Sequence, residues 1–165
     1  MMYQAIQNRP SLSSTVRLFS NPDGYPKLDQ LVCDAYRPLV RANASQVRDI
    51  VRGLKNRGWN WDERGSAAGS PLAIDRAVVL LDAHVFQVLG ARNLAWNEPH
   101  VSLNEDGDVV FEWWNGEKKL TLYVGEKVTE YLSSWGPDID QQMYAGELNG
   151  NLLQLWQWFL LPAEQ

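Results

Sequence analysis

The stretch that most limits what this chain can fold into is "DGDVVFEWWNGEKKLTLYV", residues 106–124. Two turn dipeptides, Asp106-Gly107 and Asn115-Gly116, frame runs that alternate apolar and polar residues. That is the strongest local signal for a β-hairpin. Side chains on a strand change face at every residue, so the pattern predicts an antiparallel meander with one dry and one wet face. Val109, Phe111 and Trp113 share one side; Val110, Glu112 and Trp114 share the other. The first set is wholly apolar, which assigns Trp113 to the core and Trp114 to the wetter face. On the partner strand Leu120, Leu122 and Val124 face inward, leaving Thr121 and Tyr123 beside Glu112 and Trp114. Aromatic residues on an outer sheet face either pack under another element, here the N-terminal arm, or serve as anchors for a partner protein.

The flanking sequence extends this picture. "HVSLN" reads as a short strand before the hairpin and Lys127–Leu132 as one after it, with "WGPD" (residues 135–138) closing a meander of three to four strands. "KLDQLVCDAYRPLV" (27–40) predicts a short helix burying Leu28, Leu31, Val32 and Ala35 and limited by Pro38. "SQVRDIVRGLKNRG" (45–58) predicts another, capped by Ser45, with Val47, Ile50, Val51 and Leu54 at helical spacing and Gly58 at its stop. The clearest helix runs from Pro71 to Leu89 behind a Ser70 cap, with Ile74, Val78, Leu81, Val85 and Val88 in one stripe. A last helix, about Gly146 to Leu160, is apolar nearly all round. The fold class is α+β: the meander packed against two or three helices, the Pro71 helix and the C-terminal one covering its dry face. Residues 1–26, rich in turn formers, read as an arm, and 27–165 as a single domain.

Composition excludes more than it identifies. The 165 residues, with 45% apolar and 21% charged residues, suit one well-buried domain. A net charge of −5 disfavours a dedicated nucleic-acid binder, which needs a basic stripe to neutralise phosphates. The single cysteine, Cys33, allows neither an internal disulfide nor a cysteine zinc site, and is expected to be an ordinary thiol. No leader segment is read at the N-terminus, and "LLQLWQWFLL" (152–161) is too short to span a bilayer, so a cytoplasmic protein is expected. Eight tryptophans are unusually many for this length, and tryptophan both dominates cores and anchors interfaces.

"GWNWDERGSAAGSP", then the helix "AIDRAVVLLDAHVF", then "DGDVVFEWWNGEKKLTLYV" together resemble a family of uncharacterised small bacterial proteins. Its members carry a Gly-Trp-Asn/Asp loop, a Ser-Pro-capped helix, and a hairpin with Asp-Gly, Phe/Leu-Glu-Trp and a closing Leu-x-Leu-x-Val. The matching residues are Gly58, Trp59, Asn60, Pro71, Asp106, Gly107, Phe111, Glu112, Trp113, Gly116, Leu120, Leu122 and Val124. The likeness spans about residues 58–124; this chain departs from it at Trp61 and in a longer charged loop. It implies accessory proteins of toxin-antitoxin or phage-defence loci.

No sequence motif frames a nucleophile, a phosphate loop or a metal site, and no cofactor is expected. His84 stands inside the Pro71 helix and reads as a residue beside the stripe. The leading expectation is a non-enzymatic protein-binding module, inhibitor or antitoxin-like, acting on a toxin or a defence component. Its partner-binding residues are Trp59, Trp61, Asp62 and Arg64 in the loop and Glu112, Trp114 and Tyr123 on the hairpin. One alternative is a small hydrolase or metal-dependent enzyme using His100 with Asp138, Asp140 or Glu112. A second is a nucleic-acid-binding accessory protein using Arg48, Arg52, Lys55 and Arg57 as a basic helical face.

Overall fold

The computed structural model describes residues 28–91, 94–138, 141–150 and 152–162. Backbone contacts divide the chain at Asp34/Ala35. The described part of the first unit is the opening of one helix, with Val32 half exposed; the side chains of Leu28, Leu31 and Cys33, and the whole arm 1–26, lie outside the described residues. The second unit contains the sheet, the remaining helices and the core.

In chain order the elements are α1 (Leu28–Gly53), a 3₁₀ turn (Leu54–Asn56), α2 (Pro71–Gly90), β1 (His100–Leu103), β2 (Val109–Asn115), β3 (Lys118–Val124), β4 (Thr129–Trp135), β5 (Met143–Glu147) and α3 (Leu152–Leu160). The class is α+β, and the strands form one antiparallel meander in the order β1-β2-β3-β4-β5. Among the described residues no helix is long and apolar enough to cross a membrane.

Among the described residues the sheet has five strands where three to four were expected. "WGPD" does not end it; β5 follows, and its last two residues, Gly146 and Glu147, were assigned above to the start of the last helix. α3 accordingly begins at Leu152 rather than near Gly146. Nor does Pro38 limit a short helix: α1 runs through it, and Ser45 lies in its interior instead of capping a second helix. A mid-helix proline removes one N–H and costs about 3 kcal/mol. Pro38 is on the exposed side of α1, where the carbonyl one turn back can bond water. The opposite side offsets the cost with Val40, Ala44, Val47, Val51 and Leu54, all at most 4% exposed and spaced alternately four and three residues apart. Ile50 is off this stripe and half exposed, as is Val32, and Ala35 is exposed as well.

α2 follows its sequence signal closely. Ser70 Oγ accepts from the Ala73 N–H at 3.3 Å and Pro71 fills the first turn. α2 and α3 pack on the inner face of the sheet, against β2 and β3. The two-residue turn between β2 and β3 is Gly116-Glu117, with Gly116 at φ 63°; Asn115 belongs to the strand. The longer β1–β2 turn is closed by Asn104, whose side-chain oxygen accepts from the Asp106 and Asp108 N–H groups. At its tip Gly107 has φ 85°, and a Cβ there would stand 2.3 Å from the Ala68 carbonyl oxygen, so glycine alone lets the turn dock on the loop before α2.

Candidate functional site

The register places the outer-face residues in rows. His100, Glu112, Thr121, Leu132 and Ala145 form one; Trp114, Lys119, Ser134 and Met143 form the next. Parity separates the adjacent indoles as expected: Trp113 is 2% exposed and Trp114 52%. The outer face is drier at its centre than the sequence suggests, since Thr121 and Val110 are buried. Tyr123 is partly buried opposite Val110, two rows away from Trp114.

Trp114 is braced. Lys119 Nζ lies 5.2 Å from its ring centroid and 2.5 Å from Glu112 Oε1, while Glu112 Oε2 is 3.4 Å from His100 Nδ1. The His100 ring is 6.4 Å from the Trp114 ring. One carboxylate thus holds two cationic or polar neighbours on an exposed indole, a geometry in which cation–π attraction orients the ring. Behind it, Asn97 ties both residues of the pair: its carbonyl accepts from Trp113 Nε1 at 3.0 Å and its amide donates to the Trp114 carbonyl at 3.5 Å.

The second group of candidate residues sits at the opposite end of the strands. Loop 57–70 is fixed to the β1–β2 turn by Ala67 N–H to the Glu105 carbonyl (2.8 Å) and Ser70 N–H to the Gly107 carbonyl (3.0 Å). At 3.3 Å per residue, Trp114 is roughly 20 Å from that turn. Within the loop, Asn60 at φ 60° accepts from the Gly65 N–H at 2.6 Å. Asp62 accepts from the Arg64 N–H (3.0 Å) and the Ser66 hydroxyl (2.7 Å), and that hydroxyl holds its carboxyl below the usual carboxylate range. Trp61 packs on the core with the Arg57 guanidinium 4.9 Å over its ring. Trp61 and Asp62 therefore stiffen the loop, and Trp59, 74% exposed, and Arg64 are the members turned to solvent.

His84 is in the middle of the buried stripe of α2, not beside it. It is 2% exposed, 4.4 Å from Trp156, 5.8 Å from Trp96 and 6.1 Å from Trp113 between ring centroids, and neither ring nitrogen has a hydrogen-bond partner. Burial pushes its pKa down to about 4, so it is a neutral aromatic packing residue at neutral pH.

The residues of the enzyme alternative are not brought together as a set. His100 reaches Glu112 on an open face, with its side chain 62% exposed. Asp138 follows β4, across the sheet from β1, and Asp140 lies outside the described residues. Among the described residues no group of three or more His, Cys, Asp or Glu is placed to hold a metal ion. Of the basic helical face, Arg48 is ion-paired with Asp82 and Arg57 covers Trp61, leaving Arg52 and Lys55 exposed. Lys118 is buried on the inner face, its ammonium donating to the Trp158 and Leu161 carbonyls at the end of α3. Sequence reasoning missed the roles of His100 and Lys119. The Lys119 role follows from the two-residue turn, since such a turn after Asn115 sets Lys119 opposite Trp114. Compared with protein-family models, with curated proteins and with solved structures, the chain shows no match.

Proposed function

We propose that the protein is a non-enzymatic binding module that docks on another protein and occludes it, with Trp114 as the central anchor and the Trp59 loop as a separate contact. The observation that carries this reading is an exposed indole held in one orientation on a rigid sheet by Glu112, Lys119 and His100. Tryptophans presented this way lose little conformational freedom on binding and dominate interface energetics. The resemblance noted for residues 58–124 makes the partner a toxin or a component of a defence locus, and the protein its inhibitor. Nucleic-acid binding is the weaker reading, because the net charge is −5 and Lys118, Arg48 and Arg57 are engaged within the molecule.

The test is affinity capture from the native host with wild-type protein, Trp114→Ala and Trp59→Ala, followed by titration of the captured protein. Trp114→Ala is expected to weaken binding by about 2 kcal/mol or more, roughly thirtyfold, with an unchanged melting curve. Parallel loss of melting temperature and binding, or no captured protein that distinguishes wild type from Trp114→Ala, overturns the reading.

A further inference from the structure

We infer that the free edge of β5 takes up an extended, basic segment of the partner protein as a sixth strand. The inference rests on the protein-binding reading above and specifies what kind of segment is bound and where.

The ladder phase sets what the edge offers. Trp135 N–H donates to the Gln142 carbonyl at 3.0 Å and Leu148 N–H to the Thr129 carbonyl at 2.7 Å, on either side of β5. Antiparallel ladders alternate, and Ser133↔Tyr144 and Tyr131↔Gly146 fall in the same phase as those two bonds. Met143, Ala145 and Glu147 therefore turn their N–H and C=O groups away from β4. Met143 is 40% and Tyr144 60% exposed, and Ala145 and Glu147 are exposed too; among the described residues no strand pairs with this edge, and only the Glu147 carbonyl is engaged, by the Asn149 N–H at 3.1 Å. The other edge is blunted: β1 has four residues and follows directly on Pro99, whereas β5 pairs over five unbroken residues and contains neither lysine nor proline.

Charge selects the occupant. On the outer face Glu147 stands directly across from Glu130, which is itself opposite Tyr123. Like charges facing each other across a ladder are destabilising. No described basic residue forms an ion pair with either carboxylate. The two rim a hollow of about 360 Å³ floored by Tyr123, Leu132 and Ala145. A strand added beside β5 lies about 4.8 Å away. Its lysines or arginines on this face would neutralise Glu147 and Glu130 while their stems cover Leu132 and Tyr123. A second copy of this chain is disfavoured, since it would bring another Glu147 and another net charge of −5 to the same edge.

The experiment uses the full chain and two short synthetic peptides. One alternates lysine or arginine with valine; the other has glutamate in place of every basic residue. Amide hydrogen exchange is followed by NMR. The basic peptide is expected to slow exchange at Met143, Ala145 and Glu147 by roughly tenfold or more, and the acidic one to leave it unchanged. Ala145→Pro removes an outward N–H while sparing the ladder to β4, and should abolish the protection without lowering the melting temperature. Should that variant not fold, the pair Glu130→Lys and Glu147→Lys carries the test by switching preference to the acidic peptide. Equal protection by both peptides, none by either, or concentration-dependent protection of these amides in the protein alone overturns the inference. A native partner lost by Trp114→Ala but kept by Ala145→Pro likewise overturns it, and leaves the protein-binding reading standing.

Discussion

The inner and outer faces of the sheet are built from the same strands, offset by one residue, and they treat the same residue types in opposite ways. Trp113 is sealed, its indole N–H spent on the Asn97 carbonyl and its ring edge-on to Trp156 at 5.4 Å between centroids. Trp114 stands in solvent with Lys119 beside it. The adjacent lysines repeat the division. Lys118 lies 4.8 Å over the Trp158 ring and bonds the end of α3, whereas Lys119 lies 5.2 Å over Trp114 and bonds Glu112. A cation over an indole therefore closes the core on one face and presents a candidate anchor on the other. Residue type does not decide between these roles; strand parity does.

The widest separation expected between the faces is in stability. Trp113→Ala should cost about 3–5 kcal/mol, the range for deleting a buried aromatic, and Trp114→Ala less than about 1 kcal/mol, both read from urea midpoints. Comparable costs for the two would erase the distinction. Next comes acid. His84 belongs to the inner face, and its folded pKa of about 4 lies below the ordinary 6.5. The unfolded chain therefore takes up a proton at His84 more readily than the folded one. The part of the stability linked to His84 is expected to be full above pH 6.5, to fall as pH drops below it, and to be lost, at a cost of about 3 kcal/mol, once pH passes below 4. His84→Leu should remove that part of the pH dependence and raise stability at neutral pH, since two unbonded ring nitrogens leave the core. Melting curves between pH 4 and 7 that are superimposable for wild type and His84→Leu would contradict this. The smallest contrast is between the lysines. Lys118→Met should cost about 2 kcal/mol through the lost charge-assisted bonds to α3, and Lys119→Met under about 1 kcal/mol, with a cost that shrinks as salt is added.

What the sequence made legible is what local rules control. The hairpin 106–124 announces both its turns and its faces, and Ser70-Pro71 with a long apolar stripe announces α2. β5 was hidden because "MYAGE" is short, holds a glycine and does not alternate; its strand character comes from pairing with β4 across the 136–142 loop. The passage of α1 through Pro38 was hidden because tertiary burial of Val40 to Leu54 outweighs the local penalty. Within the candidate site, the parity of Trp113 and Trp114 was readable, but the brace around Trp114 was not. It needs His100 opposite Glu112, a register fixed by the geometry of the Asn104–Asp108 turn rather than by composition. His84 was misread because periodicity places a side chain on a helix face without saying how wide the buried stripe is.

Trp156 lies between His84 and Trp113, donates its indole N–H to the Ala95 carbonyl, and is carried by α3, the last of the described helices. In synthesis order every described strand therefore precedes the residue that fills this central slot. A chain halted before Leu152 lacks the indole that packs on His84 and Trp113, and is expected to be cut by added protease faster than the full chain.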